Sequence, residues 1–166
     1  YSKCPVKIML ADATNPDIME RIFKHYNPEI VFHAAAYKHV PLMEENPHEA
    51  LRVNVGATKL ITKLSVQYKV KKFVMISTDK AVNPANIMGA SKRICEIILQ
   101  IRAHLPENNT QFVITRFGNV LGSNGSVIPI FREQIRRGGP LTLTDPEMTR
   151  FIMSIEEAVA LVIDSG

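Results

Sequence analysis

Residues 71–105 read KKFVMISTDKAVNPANIMGASKRICEIILQIRAHL, and this stretch decides the fold. Phe73–Ser77 is a short, mostly apolar run, the pattern of a strand covered on both faces. It stops at Thr78-Asp79-Lys80, where three polar side chains follow without a break. Asn83-Pro84 interrupts the chain, and Asn86 can cap a helix that runs to about His104. Ile87, Ile94, Ile98, Ile101 and Leu105 mark the expected buried side of that helix. Strand, polar loop and helix together make one β/α unit.

The same alternation continues on either side. Val6–Leu10 reads as a strand. Thr14 or Asn15 can cap a helix over about Asp17–Tyr26, with Pro16 at its first position. Glu29–His33 reads as a second strand, entered through Asn27-Pro28. Residues 34–47 look irregular, because Pro41 and Pro47 oppose a continuous helix. A long helix follows over about His48–Tyr68, with Ala50, Val53, Ala57, Leu60, Ile61 and Leu64 on one face. Gln111–Thr115 is a further strand. Val127–Arg137 reads as a helix ended by Gly138-Gly139-Pro140, Leu141–Leu143 as a short strand, and Ile155–Ser165 as a closing helix. Apolar strands alternating with helices predict an α/β fold, a parallel sheet with helices on both faces and right-handed crossovers.

Composition narrows the function classes. The chain has 166 residues, a one-domain length, and its 46% hydrophobic and 22% charged residues are those of a globular domain rather than a disordered chain. No apolar run approaches the roughly 18–20 residues that span a bilayer. Cys4 and Cys95 are too few for a disulfide framework and read as packing thiols in a reducing compartment. The 20 basic and 16 acidic residues give a net charge of +4. The densest basic groups, Lys69-Lys71-Lys72 and Arg132-Arg136-Arg137, carry no interleaved aromatics, which argues against nucleic-acid binding. A mild cationic excess suits a small phosphorylated substrate. His33, His39 and His48 match no usual metal-ligand spacing, so no metal is expected.

Ligands of open parallel sheets sit at the carboxyl ends of the strands. Asp12, after the first predicted strand, could accept from an adenine amine, and serves equally well as part of a helix-capping loop. Ala34, Ala35 and Ala36 would let a flat ligand approach the backbone, while Lys38 and His39 could reach a phosphate or sugar. Asn54 falls on the apolar face of the long helix and must find partners, near the site or purely structural ones. Thr78, Asp79 and Lys80 supply an orienting hydroxyl, an acid and a base. Met88 and Lys92, four residues apart, share one helix face. Arg116 and Asn119 offer donors beside Gly118, Gly122 and Gly125, whose spacing is not GxGxxG.

Four segments in this order resemble the extended short-chain dehydrogenase/reductases, and within them the UDP-N-acetylglucosamine 4,6-dehydratase (CapD-like) group of polysaccharide biosynthesis. They are AAAYKHVP at 34–41, STDKA at 77–81 with NPxNxMGxSK after it, RFGNVLGSNGSVIPIF at 116–131, and DPEMTRF at 145–151. The resemblance implies a Rossmann-like sheet, an NAD or NADP cofactor and a UDP-sugar substrate. In such enzymes a hydride leaves sugar C4, water is eliminated across C5 and C6, and the hydride returns at C6. By resemblance Asp79 is the acid for the C6 hydroxyl, Lys80 the C5 base, and Thr78 the partner of the C4 oxygen. Lys92 holds the nicotinamide ribose. Asp12, Ala34, Ala35, Ala36 and Asn54 line the cofactor. Lys38, His39, Arg116, Asn119 and Arg150 face the sugar nucleotide. Lys80 must be neutral to take a proton, so surroundings that favour the neutral amine are expected.

Two departures accompany the resemblance. The tyrosine of the superfamily's YxxxK motif is Met88, whose thioether cannot relay a proton, leaving that task to Lys80, Thr78 or water. The GxGxxG loop that cradles pyrophosphate is missing, and no glycine precedes Gly56. The expectation is a single partial NAD(P)-binding domain over residues 1–166, with the N-terminal β/α units missing and the sugar-binding segment cut off after Gly166. Cofactor binding by the isolated chain would then be weak or absent, and the fragment inactive. The parent enzyme is expected to be a cytoplasmic homo-oligomer, with any inner-membrane anchor outside this chain. A UDP-sugar 4-epimerase and a non-catalytic assembly module are the alternatives.

Overall fold

The computed structural model describes residues 5–123, 127–143 and 145–166. Cys4 and Gly125 lie outside the described residues. The elements run α1 (Pro16–Tyr26), β1 (Ile30–His33), α2 (Val40–Glu45) and α3 (Pro47–Ala50), then a π-helical turn (Leu51–Gly56) that leads into α4 (Ala57–Gln67). They continue with β2 (Lys72–Thr78), a 3₁₀ turn (Asp79–Ala81), α5 (Ile87–Ala103), β3 (Gln111–Phe117), β4 (Asn119–Val120), α6 (Val127–Arg136), β5 (Ile152–Met153) and α7 (Ile155–Asp164). Strands β1, β2 and β3 form a parallel sheet in that order, with Phe73 opposite Val31 on one side and Phe112 on the other. This is the α/β architecture that the alternation predicts.

Side-chain alternation sorts the two faces. Phe73 and Met75 point with Val31, Phe112 and Ile114 into a core that also takes Met19 and Phe23 from α1, Ile61 and Leu64 from α4, and Cys95 and Leu99 from α5. The opposite face meets α7: Thr115 Oγ1 donates to Ser165 Oγ, and Gly166 lies against the Phe32 ring. Helices therefore cover both faces. The α1 N-terminus is capped by Asn15, with Pro16 at the first position, and α5 is capped by Asn86, which accepts from Gly89 N.

Several sequence expectations need correction. Val6–Leu10 is not a strand: all of its side chains are exposed, and among the described residues no strand lies along the free edge of β1 to pair with it. Without a neighbour an extended segment has no ladder to join. Leu141–Leu143 is not a strand either, because the backbone N–H of Thr142 donates to the Gln134 side chain. Residues 34–47, expected to be irregular, contain α2, and α3 starts at their last residue; each helix has a proline in its first turn, where the missing N–H costs nothing. The short β4–β5 pair lay beyond the reach of the sequence pattern; two residues per strand carry too little alternation to be seen.

The buried side of α5 also differs. Ile94 and Ile101 are exposed, whereas Met88, Ser91, Cys95, Glu96 and Leu99 are inside. Two polar residues displace isoleucines from the interior because each finds buried partners there. The long helix follows its expected apolar face, but Leu51–Gly56 widens into a π turn. Thr58 Oγ1 and Cys95 Sγ both donate to the Asn54 carbonyl in that turn, at 2.7 and 3.3 Å.

Candidate active site

The carboxyl ends of β1, β2 and β3 gather the polar residues. At the end of β2, Thr78 caps the 3₁₀ turn by accepting from Lys80 N, and its hydroxyl donates to Asp79 Oδ1 at 2.9 Å. Lys80 Nζ lies 3.0 Å from Asp79 Oδ1 and 3.1 Å from Asn119 Oδ1. Burial raises the Asp79 pKa, but hydrogen bonds from Lys80 and Thr78 outweigh it and hold the carboxyl below its ordinary range. Lys80 is partly exposed and beside a carboxylate, so the desolvating enclosure expected around it is not what surrounds it.

Two glycines bring this arrangement together. A Cβ on Gly89 would overlap the Lys80 carbonyl oxygen, so the first turn of α5 can seat the 3₁₀ turn only without a side chain there. A Cβ on Gly118 would lie 2.5 Å from the Phe151 carbonyl oxygen. That close approach lets β4 pair with β5, with Asn119 N donating to Phe151 O, and presents Asn119 to Lys80.

Lys92 projects from the next turn of α5 and donates to the Ile76 carbonyl of β2 at 2.9 Å. Burial lowers its pKa. His33, at the end of β1, bonds Thr58 Oγ1 through Nε2 at 3.0 Å, and burial together with the Lys92 charge lowers its pKa to about 4. The imidazole is therefore neutral at pH 7. Beyond it, Ala34 and Ala35 are exposed and Ala36 is half-buried. Asn54 locks the following backbone: its Oδ1 accepts from Tyr37 N at 2.7 Å, and its Nδ2 donates to Tyr37 O and Ser91 Oγ.

The remaining predicted residues fall in three groups. Met88 is buried in an apolar cluster with Met43 and Ala50. Arg116 is engaged by Glu96 through a two-pronged contact. Asp12, Lys38, His39 and Arg150 are exposed. Asp12 accepts from the backbone and hydroxyl of Thr14, the capping-loop pattern, and has Arg52 at 3.9 Å. Lys38 Nζ donates to Ser123 Oγ, and Arg150 Nη1 to its neighbour's carbonyl. Sequence reasoning missed Gly89 and Glu96. The signal for Glu96 was its position, one residue after Cys95 and three before Leu99, which puts a carboxylate on a face that must be buried.

The residues fit a nicotinamide cofactor on structural grounds. Three small side chains at the end of β1, two of them exposed, leave the backbone open to a flat ring, and the Lys92 amine and the Thr78 hydroxyl stand at the neighbouring strand end.

Comparison with known proteins shows the family to which the chain belongs. The family model described as polysaccharide biosynthesis protein matches residues 2–166. The capsular polysaccharide biosynthesis protein CapD of Staphylococcus aureus is 54% identical over 160 residues, 95% of this chain and 26% of that protein. A UDP-glucose 4-epimerase of Rickettsia canadensis is 42% identical over 159 residues, covering 95% of this chain and 46% of that one. Among solved structures, Pen from Bacillus thuringiensis superposes with a TM-score of 0.86 at 38% identity, over 94% of this chain and 48% of Pen. The Thermus thermophilus UDP-glucose 4-epimerase, solved with NAD, gives 0.77 at 26% identity, over 91% and 58%. The chain thus spans about a quarter of the length of CapD and about half that of the others. Among the described residues no helix is long and apolar enough to cross a membrane.

Proposed function

We propose that this chain, which belongs to the polysaccharide biosynthesis protein family, carries the acid–base half of a nucleotide-sugar 4,6-dehydratase acting on a UDP-sugar of the N-acetylglucosamine class. The observation that carries this reading is the Thr78–Asp79–Lys80 cluster. An epimerase moves a hydride and needs no acid–base pair for elimination, whereas here a carboxylate and an amine stand side by side at the strand end.

NAD or NADP, when bound, supplies acceptance and return of the hydride. The chain's own residues do the rest. Lys92 and the Ala34–Ala36 surface would hold the cofactor, and Asn54 fixes the backbone behind that surface. Thr78 takes the C4 hydroxyl proton and passes it to Asp79 along their 2.9 Å hydrogen bond. Asp79 is ionised at rest, so it can receive that proton and then give it to the departing C6 hydroxyl. Lys80, open enough to solvent to shed its ammonium proton there first, takes the C5 proton and returns it after elimination, with Asn119 orienting the amine. The protons balance: the water that leaves consists of the C6 hydroxyl and the proton from the C4 hydroxyl. This route needs no phenol at Met88. Lys38, His39 and Arg150 are exposed donors placed for the nucleotide. Arg116 is reassigned, since its guanidinium is held by Glu96.

The test is product identity with the full-length protein and UDP-N-acetylglucosamine. A 4-keto-6-deoxy sugar nucleotide, lighter by one water, is expected. The 4-epimer of the substrate would overturn the reading in favour of the epimerase, which the Rickettsia relative's name keeps in view.

A further inference from the structure

Glu96 has no solvent exposure, and a buried carboxylate without partners is prohibitively costly. Its partners therefore explain its position. Oε1 accepts from Ser77 Oγ and from Arg116 Nε, each at 2.7 Å, and Oε2 accepts from Arg116 Nη2 and from Arg93 Nη1 at 3.0 Å. The Arg116 fork is bidentate, the geometry that fixes orientation as well as charge. Burial raises the Glu96 pKa, but hydrogen bonds from Arg116, Ser77 and Arg93 outweigh it and keep the group ionised.

The location matters more than the pairing. Ser77 and Arg116 are register partners across β2 and β3. Ser77 immediately precedes Thr78, and Arg116 stands three residues before Asn119. One carboxylate on α5 thus ties down both strand ends just before they diverge into the two loops that meet again at Lys80 and Asn119.

We propose that Glu96 is a positioning residue: by holding Ser77 and Arg116 it sets the spacing of the β2 and β3 ends, and with it the Lys80–Asn119 contact that aims the amine. This rests on the dehydratase reading for its catalytic consequence. Its geometric content stands apart from that reading.

The experiment uses Glu96→Gln, Arg116→Gln and the double variant in the full-length protein. Glutamine keeps the length and one acceptor oxygen, and Arg116, partly exposed, can be solvated when released. Backbone deuterium exchange is expected to rise at residues 77–81 and 116–120 in Glu96→Gln, with α1 and α4 unchanged. Turnover is expected to fall ~10- to 100-fold with little change in KM, as for misplaced catalytic groups. Arg116→Gln should match it, and the double variant should add nothing, because the two act as one unit. Wild-type exchange at 77–81 in Glu96→Gln would overturn the proposal. So would exchange raised throughout the chain, which marks a purely structural pair, or a KM rise alone in Arg116→Gln, which marks a substrate ligand. If the wild-type protein makes no 4-keto-6-deoxy product, the functional reading fails while the exchange measurement still decides the role of Glu96.

Discussion

The carboxyl ends of β1 and β2 lie side by side and are secured in opposite ways. After β1 the chain is fixed through its backbone, with the Asn54 amide bonding both the N–H and the C=O of Tyr37. The side chains it presents are small, and the larger Lys38 and His39 stand out in solvent. After β2 the chain is fixed through side chains and one close helix contact: Ser77 on Glu96, Thr78 on Asp79, Asp79 on Lys80, and the Lys80 carbonyl packed where Gly89 has no Cβ. The first arrangement leaves a bare surface for a flat ligand. The second holds polar groups in fixed relative positions. The contrast teaches that, on the proposed reading, binding and proton handling rest on adjacent strand ends by different means, so each can be broken alone.

Breaking the β2 end should have the largest effect. Gly89→Ala places a Cβ where the Lys80 carbonyl now sits, and the turn must move. Turnover of the full-length protein is expected to fall by ~10²-fold or more, the scale of a roughly 1 Å misplacement, with cofactor binding by titration nearly unchanged.

The next effect belongs to the β1 end and to pH. His33 has a folded pKa of about 4 against an unfolded value near 6.5. Below the unfolded value the unfolded chain binds a proton that the folded chain refuses, so stability is lost as pH falls from 6.5 towards 4. The loss attributable to His33 is on the order of 3 kcal/mol. Urea midpoints at pH 7 and pH 4.5 measure it, and His33→Phe should flatten that part of the dependence. The carboxylates Asp79 and Glu96, whose pKa values are depressed, lose their contribution only at lower pH, through their own folded values.

The smallest change is expected from Asn54→Ala. It strips both partners from the part-buried Tyr37 backbone and one from Ser91, which keeps its bond to the Met88 carbonyl, costing about 2 kcal/mol. Deuterium exchange should rise at residues 34–38 and stay unchanged at 77–81. Equal rises at both would erase the distinction between the two ends.

The sheet core and the polar cluster were legible in sequence because both rest on local pattern. Phe73–Ser77 is apolar enough to be a strand alone, and Thr78-Asp79-Lys80 follows it directly. Val6–Leu10 has the same pattern but finds no neighbour, and pairing is not a local property. The isoleucines of α5 misled for a related reason: Ser91 and Glu96 are inside because of partners 37 and 20 residues away, Asn54 and Arg116. Arg116 looked like a phosphate ligand by charge and place, yet a carboxylate on another element had first claim on it. Gly89 could be seen in the sequence but not explained, since its reason is the backbone of the preceding loop.

The central claim is that the β2 end performs an elimination. Full-length protein supplied with UDP-N-acetylglucosamine deuterated at C4 tests it most directly. The account predicts a product lighter by one water, with the C4 deuterium now at C6. Deuterium returned to C4 of a sugar that has kept all its oxygens would contradict it.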